Sequence, residues 1–236
     1  MAVIEQNRAI ADGIFELALS GVPIGNAGQF LQVHLPDTTG MLLPRPISLF
    51  DADEKNGVTR LVYRIVGRGT NLLSTLDHGS IRVTGPLGNG FPVCSGDAVL
   101  IGGGLGIAPL YLLCKQLRAA EPERKITVAL GYSDRIFLKD AFDAIADCVA
   151  VNIGGYVTED VDFSQAATFY ACGPAPMMRA CAKLADAQQQ KLYVSLESRM
   201  ACGVGACYAC SIRTIHGNRR VCKDGPVFLS SEVYYG

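Results

Sequence analysis

Cys202, Cys207, Cys210 and Cys222 crowd four thiols into 21 residues of a 236-residue chain, with x4, x2 and x11 between them. Three lie in ACGVGACYACS (201–211) and the fourth in RRVCKDGPVF (219–228). A segment this short cannot bury enough apolar surface to fold alone, so a metal centre is its natural staple. The C-x4-C-x2-C…C order is that of plant-type 2Fe-2S sites, in which each iron takes tetrahedral thiolate ligation. Zinc ribbons instead pair thiols in two short knuckles; Cys207 and Cys210 would make one, but Cys202 and Cys222 make no second. Gly203 and Gly205 let the backbone bend tightly around a cluster, and the N–H groups freed in such a loop can point at its sulfides.

The other five of the nine cysteines, Cys94, Cys114, Cys148, Cys172 and Cys181, stand alone. Cys114 and Cys181 sit in helical patterns and read as small buried filler. The N-terminal stretch lacks the basic region and apolar run of a signal peptide, and no apolar run approaches the roughly 20 residues of a membrane helix. The expected location is the cytoplasm, where disulfides are disfavoured and clustered thiols point to metal. At 49% hydrophobic and 18% charged residues the chain reads as globular. A net charge of −1 with scattered Lys and Arg gives no footprint for nucleic acid.

The hydrophobic period changes along the chain. Up to about residue 93, short alternating runs (AVIEQN, GIFELALS, GQFLQVHL, TRLVYRIVG, SIRVTGPLG) are separated by turn signals such as PDTTG and DEKNG. This pattern predicts a small antiparallel barrel. From 94 to 190, apolar strands (DAVLIGGG, KITVALGYSD, CVAVNIG, ATFYACG) alternate with helical stretches (APLYLLCKQLRAA, FLKDAFDAIAD, APMMRACAKLADAQQQ), which predicts βαβ units on a parallel sheet. The remainder, 191–236, opens with KLYVSLESRM and carries the cysteines.

Two sets of residues suit phosphates. In RPISLF, Arg45 stands in a rigid X-Pro context fixed by Pro46, and Ser48 adds a hydroxyl donor. Further on, Tyr63 and Arg64 lie on a strong strand, and Gly69 and Thr70 open a helical stretch. Thr70 there is either a plain N-cap or the start of a pyrophosphate site. The second set is VLIGGGLGIAPLYLL, a strand, glycine loop and helix, with Gly103, Gly104 and Gly106 as candidate nucleotide contacts. It fails the strict G-x-G-x-x-G fingerprint. Cys172, Gly173 and Pro174 in YACGPAPMM form another loop at the carboxyl end of a strand, where open α/β sheets bind ligands; Cys172 is either merely buried or lines a nicotinamide pocket. Asp134 suits a ribose 2′-hydroxyl and Arg135 a 2′-phosphate, leaving NAD and NADP both open.

The order RPIS, GGGLGIAP, CGP and four cysteines resembles the ferredoxin–NADP reductase superfamily. Over the whole chain it looks most like the electron-transfer subunits of type 1B dihydroorotate dehydrogenases, through RPIS, VYRIVGRGT, ACGVGACYAC and VCKDGPVF. The resemblance implies an α+β multi-domain chain: an antiparallel β-barrel FAD domain (1–93), an α/β parallel-sheet NAD domain (94–190) and a small C-terminal 2Fe-2S domain (191–236). It implies FAD contacts at Arg45, Pro46, Ile47, Ser48, Val62, Tyr63, Arg64, Gly69 and Thr70, and cluster ligation by the four cysteines. The implied partner is an FMN-containing dihydroorotate dehydrogenase catalytic subunit, two of each chain, passing electrons through the cluster and FAD to NAD+. Electron-transfer subunits of other NAD(P)H-linked oxidoreductases and a redox sensor are the alternatives. His34, His78 and His216 lie in unrelated contexts, and no serine or cysteine has a neighbouring base to suggest substrate activation here.

Overall fold

The alternating first third closes on itself. A computed structural model describes residues 1–36 and 40–234. Six antiparallel strands, β1 (Ala2–Ala11), β2 (Ile14–Ser20), β3 (Phe30–His34), β4 (Arg45–Asp53), β5 (Val58–Arg64) and β6 (Ser80–Leu87), form a barrel in the order β1-β2-β5-β4-β3-β6. Asp12-Gly13 is the two-residue turn joining β1 to β2, and Gly13 takes the left-handed φ of 66° that such a hairpin needs. Leu17, Leu19, Leu31, Leu49 and Leu61 fill the interior, and α1 (Arg68–Leu73) adds Leu73 to the same core. On β3, Leu31 and Val33 belong to that core while Phe30 belongs to another, so the period of two divides the strand between two environments. The RPIS motif is the start of a nine-residue barrel strand, β4. The middle of the turn expected at PDTTG lies outside the described residues.

The next unit is a six-stranded sheet in the order β14-β11-β10-β7-β8-β9. Its parallel strands are β7 (Ala98–Gly103), β8 (Ile126–Tyr132), β9 (Cys148–Ile153), β10 (Thr168–Cys172) and β11 (Leu192–Ser195). The helices α2 (Ile107–Ala120), α3 (Lys139–Asp143) and α4 (Ala175–Ala187) connect them. FLKDAFDAIAD is helical only over the five residues of α3. Cys114 and Cys181 are fully buried, as expected of filler. After β9 the chain crosses back to place β10 on the other side of β7, so the carboxyl ends of β7 and β10 flank a switch point.

The sheet does not stop at residue 190. β11 pairs with β10, and β14 (Val227–Leu229) runs antiparallel to β11. The cysteine-bearing stretch is thereby anchored at both ends by strands of the sheet. It carries a hairpin, β12 (Ser211–Thr214) and β13 (Gly217–Arg220), and ends in α5 (Ser230–Val233). Its small core joins Cys210, Val221 and Cys222 to Phe30 of the barrel.

Barrel and sheet meet along β4 and α2. Phe50 stacks on Tyr111 with ring centroids 4.8 Å apart, and Lys115 pairs with Asp51. This fixes the strand that carries RPIS against the helix that follows the glycine loop.

Candidate functional site

A cavity of about 350 Å³ opens where β4 and β5 face the carboxyl ends of β7, β10 and β11. Arg45, Pro46, Ile47, Ser48, Val62, Tyr63, Arg64 and Thr70 line it from the barrel side, Gly106 and Cys172 from the sheet side. The fold thus brings RPIS onto one space with Gly106 and with Cys172, the latter more than a hundred residues further along the chain. Gly69, Gly103, Gly104, Gly173 and Pro174 are not among its lining residues.

The position of Gly69 has a different cause. A Cβ there would lie 2.3 Å from the Arg45 guanidinium, so the glycine leaves room for that side chain. Arg45 also donates to the Leu43 carbonyl and the Met41 sulfur, which hold it at the cavity edge. Thr70 is not the N-cap of α1, which is Gly67, but the third residue of the helix: its hydroxyl reaches back to accept from the Val66 and Gly67 N–H groups (2.9 and 3.3 Å) and donates to the Gly67 carbonyl (3.1 Å). Tyr63 is almost wholly buried, stacked on Phe15, and its hydroxyl donates to Asn7 at 3.0 Å. Burial pushes that phenol up to about 12.

The glycine loop packs against the CGP loop backbone to backbone. A Cβ on Gly106 would sit 2.4 Å from the Cys172 carbonyl oxygen, and one on Gly173 would sit 3.0 Å from the Gly103 backbone. A Cβ on Gly103 would sit 2.9 Å from Pro174 and closer to Met177. Three of these glycines are therefore accounted for by the seam between β7 and β10. Gly104 is different, with φ of 53° and open space around it. It lines a second cavity of about 300 Å³ with Asp12, Ser133, Asp134, Arg135 and Arg64. Arg135 there contacts Asp12 of the barrel turn at 3.5 Å, and Arg64 borders both cavities.

Sequence reasoning missed the floor of the first cavity. Ser195, Leu196, Glu197, Ser198 and Met200, the exit from β11, line it. Cys172 is nearly inaccessible; burial, then the nearby Glu197 carboxylate, pushes its thiol up to about 12, against a hydrogen bond with Ser195. Glu197 is reached by solvent through the cavity, yet the surrounding walls strip away bulk water and raise its carboxyl above the usual range. Nothing in SLES marks these residues; only the pairing of β11 with β10 brings them here.

The four cysteines form two pairs. The Ala206 and Cys207 N–H groups donate to Cys202 Sγ at 3.3 and 3.4 Å, and the Cys222 N–H donates to Cys210 Sγ at 3.4 Å. Among the described residues no three cysteine, histidine or acidic groups converge on one point as a single ion requires. Two thiol pairs are what a two-iron cluster needs, one pair per iron. Gly203 (φ 70°) and Gly205 (φ 81°) make the loop turn as their spacing suggests. Arg220, unremarked in the sequence, clamps it: the guanidinium donates to the Gly205 carbonyl at 3.0 Å, is held by both oxygens of Asp224, and lies over the Tyr208 ring.

The backbone donors, led by the Cys207 N–H, hold the Cys202 thiol down to about 6, whereas burial pushes Cys222 up to about 12. Cys202 is thus a thiolate above that lower value. In the metal-free chain at neutral pH, iodoacetamide is expected to modify Cys202 well before Cys222, with the Cys202 rate falling as pH drops through about 6. Peptide mass spectrometry against time checks this; equal rates at the two sites would contradict the geometry.

The two regions share a wall. Phe30 lines the first cavity and packs in the core that holds Cys210 and Cys222.

Comparison with known proteins agrees with this layout. Residues 197–234 match the family described as the iron-sulfur cluster binding domain of dihydroorotate dehydrogenase B. The chain is 37% identical to the dihydroorotate dehydrogenase B (NAD(+)) electron transfer subunit of Clostridium perfringens, over 98% of this chain and 96% of that one. It is 39% identical to the protein of the same name from Bacillus caldolyticus, with the same coverage. Among solved structures it resembles a chain of the NADH-dependent reduced ferredoxin-NADP oxidoreductase, studied for flavin-based electron bifurcation, at a TM-score of 0.89 and 29% identity over 99% of this chain and 89% of that one. The FAD/NAD-binding domain of nitric oxide dioxygenase from Vibrio cholerae shares the fold, with a TM-score of 0.72 at 15% identity over 84% of this chain and 98% of that one.

Proposed function

Because the chain belongs to the family of dihydroorotate dehydrogenase B (NAD(+)) electron transfer subunits, we propose that it carries electrons between a catalytic dihydroorotate dehydrogenase subunit and NAD+, in pyrimidine biosynthesis. The observation that carries this reading is Phe30, one ring set between the cavity built from RPIS and the core built around the cysteines. A nicotinamide exchanges electrons in pairs and an iron–sulfur centre singly, and a flavin between them does both.

In this reading Arg45, Pro46, Ile47, Ser48, Val62, Tyr63, Arg64, Gly69 and Thr70 make the FAD site. Arg45 is the charged phosphate contact, Gly69 gives its guanidinium room, and Thr70 holds the shape of the turn. The cavity-facing edge of the seam between the Gly103–Gly106 loop and Cys172–Pro174 receives the nicotinamide end of NAD, with Gly104, Asp134 and Arg135 toward the adenosine end. Cys202 with Cys207, and Cys210 with Cys222, ligate one 2Fe-2S cluster. The buried Cys172 thiol stays protonated and forms an apolar wall. The domain limits 1–93, 94–190 and 191–236 describe the three cofactor regions, with β11 and β14 tying the last to the sheet. The partner contains FMN, two copies of each chain assemble, and the complex works in the cytoplasm; no helix among the described residues is long and apolar enough to cross a membrane.

Arg45→Ala is expected to weaken FAD binding about ten- to a hundred-fold, since a hydrogen bond from a charged group contributes about 1.5–3 kcal/mol. Gly69→Ala is expected to act in the same direction by displacing that guanidinium. Flavin retained per chain after gel filtration, with wild type alongside, measures both; full retention by Arg45→Ala would remove it from the site.

The function itself is tested by mixing. Alone, the chain is expected to reduce artificial dyes with NADH and to leave dihydroorotate untouched. With a matching FMN-containing catalytic subunit it is expected to support NAD+ reduction by dihydroorotate. The likeness to the ferredoxin-NADP oxidoreductase chain favours a second reading, in which ferredoxin is the partner; ferredoxin-dependent turnover without dihydroorotate-dependent turnover would select it.

A further inference from the structure

Gln32, in the middle of β3, is 1% exposed, and neither its side-chain oxygen nor its nitrogen has a hydrogen-bond partner. A buried amide left unpaired costs about 1–3 kcal/mol, so each such group calls for an explanation. Its neighbours Leu31 and Val33 face the barrel core, which turns Gln32 outward, onto the same side as Phe30. What lies on that side is the cysteine loop. A Cβ on Gly203 would be 2.6 Å from Gln32 Nε2, 2.7 Å from its Cγ and 3.1 Å from its Cδ. The carboxamide therefore lies directly over the residue that follows Cys202, in contact with the loop and closed off from water. Through its backbone, Gln32 is paired in register with Pro46 of RPIS on one side and with Thr84 of β6 on the other.

A methionine or leucine would fill this place without leaving polar atoms stranded. An amide is warranted where an acceptor stands beside Gly203, and the sulfurs of an iron–sulfur cluster held by Cys202 and its partners are such acceptors. Hydrogen bonds to cluster sulfur favour the more negative, reduced state and raise the potential. We propose that Gln32 is a positioning and tuning residue, donating a side-chain N–H to a sulfur of the cluster and setting its reduction potential from the same strand register that holds the FAD motif. The proposal rests on the ligand assignment given above.

The test uses the whole chain purified anaerobically with its cofactors, wild type and Gln32→Met, both labelled with 15N at the glutamine side-chain amide. After reduction with dithionite, pulsed EPR on the cluster signal is expected to detect a coupling to the 15N label in wild type that is absent from Gln32→Met. In potentiometric titration the cluster midpoint of Gln32→Met is expected to fall by about tenfold in the one-electron equilibrium, roughly 59 mV, with the flavin midpoint unmoved. A merely structural role would not produce the 15N coupling, and the wild-type spectrum decides even if the variant folds poorly. A wild-type cluster signal without that coupling overturns the proposal. An equal shift of both midpoints also overturns it. Absence of any cluster signal in wild type overturns the ligand assignment beneath it.

Discussion

Cys222→Ser is expected to yield a chain without iron–sulfur absorbance that still binds FAD. Cys222 is 2% exposed and packs with Phe30, Cys210 and Val221, so a lost ligand there is lost from the core of the segment. Burial leaves its thiol protonated near neutral pH in the metal-free state. Cluster assembly has to displace that proton, which thiolate ligation to iron accomplishes and a serine hydroxyl does far less readily. The segment between β11 and β14 has little apolar core besides this one, so cluster loss should open it to protease between residues 199 and 224 while both anchoring strands hold. Cys172→Ser, which changes a buried thiol on the cavity side, is expected to keep the cluster. Limited proteolysis with iron and flavin counts distinguishes these outcomes; two irons and an unchanged reduced EPR signal in Cys222→Ser would refute the ligand set.

Gly106→Ala is expected to be the most damaging single methyl in the nucleotide half. The added Cβ meets the carbonyl oxygen and carbon of Cys172 at 2.4 and 2.5 Å and Gly173 Cα at 2.6 Å. All three are backbone atoms and cannot rotate aside, so the β7 and β10 loops must separate. Overpacking of this kind costs about 1–3 kcal/mol, roughly 2–4 °C in Tm per kcal/mol for a chain of this size. The larger effect is expected on NADH oxidation, because the displaced loops form the seam proposed to receive the nicotinamide. Gly104→Ala, at a position placed toward the adenosine end of NAD, is the matched control for Tm alone. It has open space around the new methyl and only a left-handed φ to bear, at about 1–2 kcal/mol. Wild-type Tm and NADH kinetics in Gly106→Ala would contradict the loop seam described here.

These two positions also mark how far the sequence could be read. The cysteine spacing was legible because ligand chemistry is local: four thiols within 21 residues, spaced x4, x2 and x11, carry the ligand order of a two-iron site by themselves. RPIS and the change from strand to helical period were legible for the same reason, since X-Pro rigidity and hydrophobic period are properties of short stretches. Gly106 was singled out, but for phosphate approach; its tight contact with Cys172 depends on β10 crossing back beside β7, and that pairing has no local signal. Glu197, Ser195 and Met200 were invisible because β11 had to be added to the sheet before its exit could face the barrel. Gln32 alternates within an ordinary strand pattern, and only the packing of Gly203 over it shows that its outward face is buried. Arg220 and Asp224 carry no local signal, and only the placement of the Gly205 carbonyl beside the guanidinium shows what they hold.

Anaerobic addition of NADH to the purified, cofactor-loaded chain, followed by low-temperature EPR, bears most directly on the claim that one polypeptide joins a nicotinamide site to a one-electron centre. The account predicts about one FAD, two irons and two sulfides per chain, with the reduced-cluster signal growing in as NADH bleaches the flavin. Flavin bleaching with no cluster signal, in a chain that dithionite does reduce to an EPR-active cluster, would contradict it.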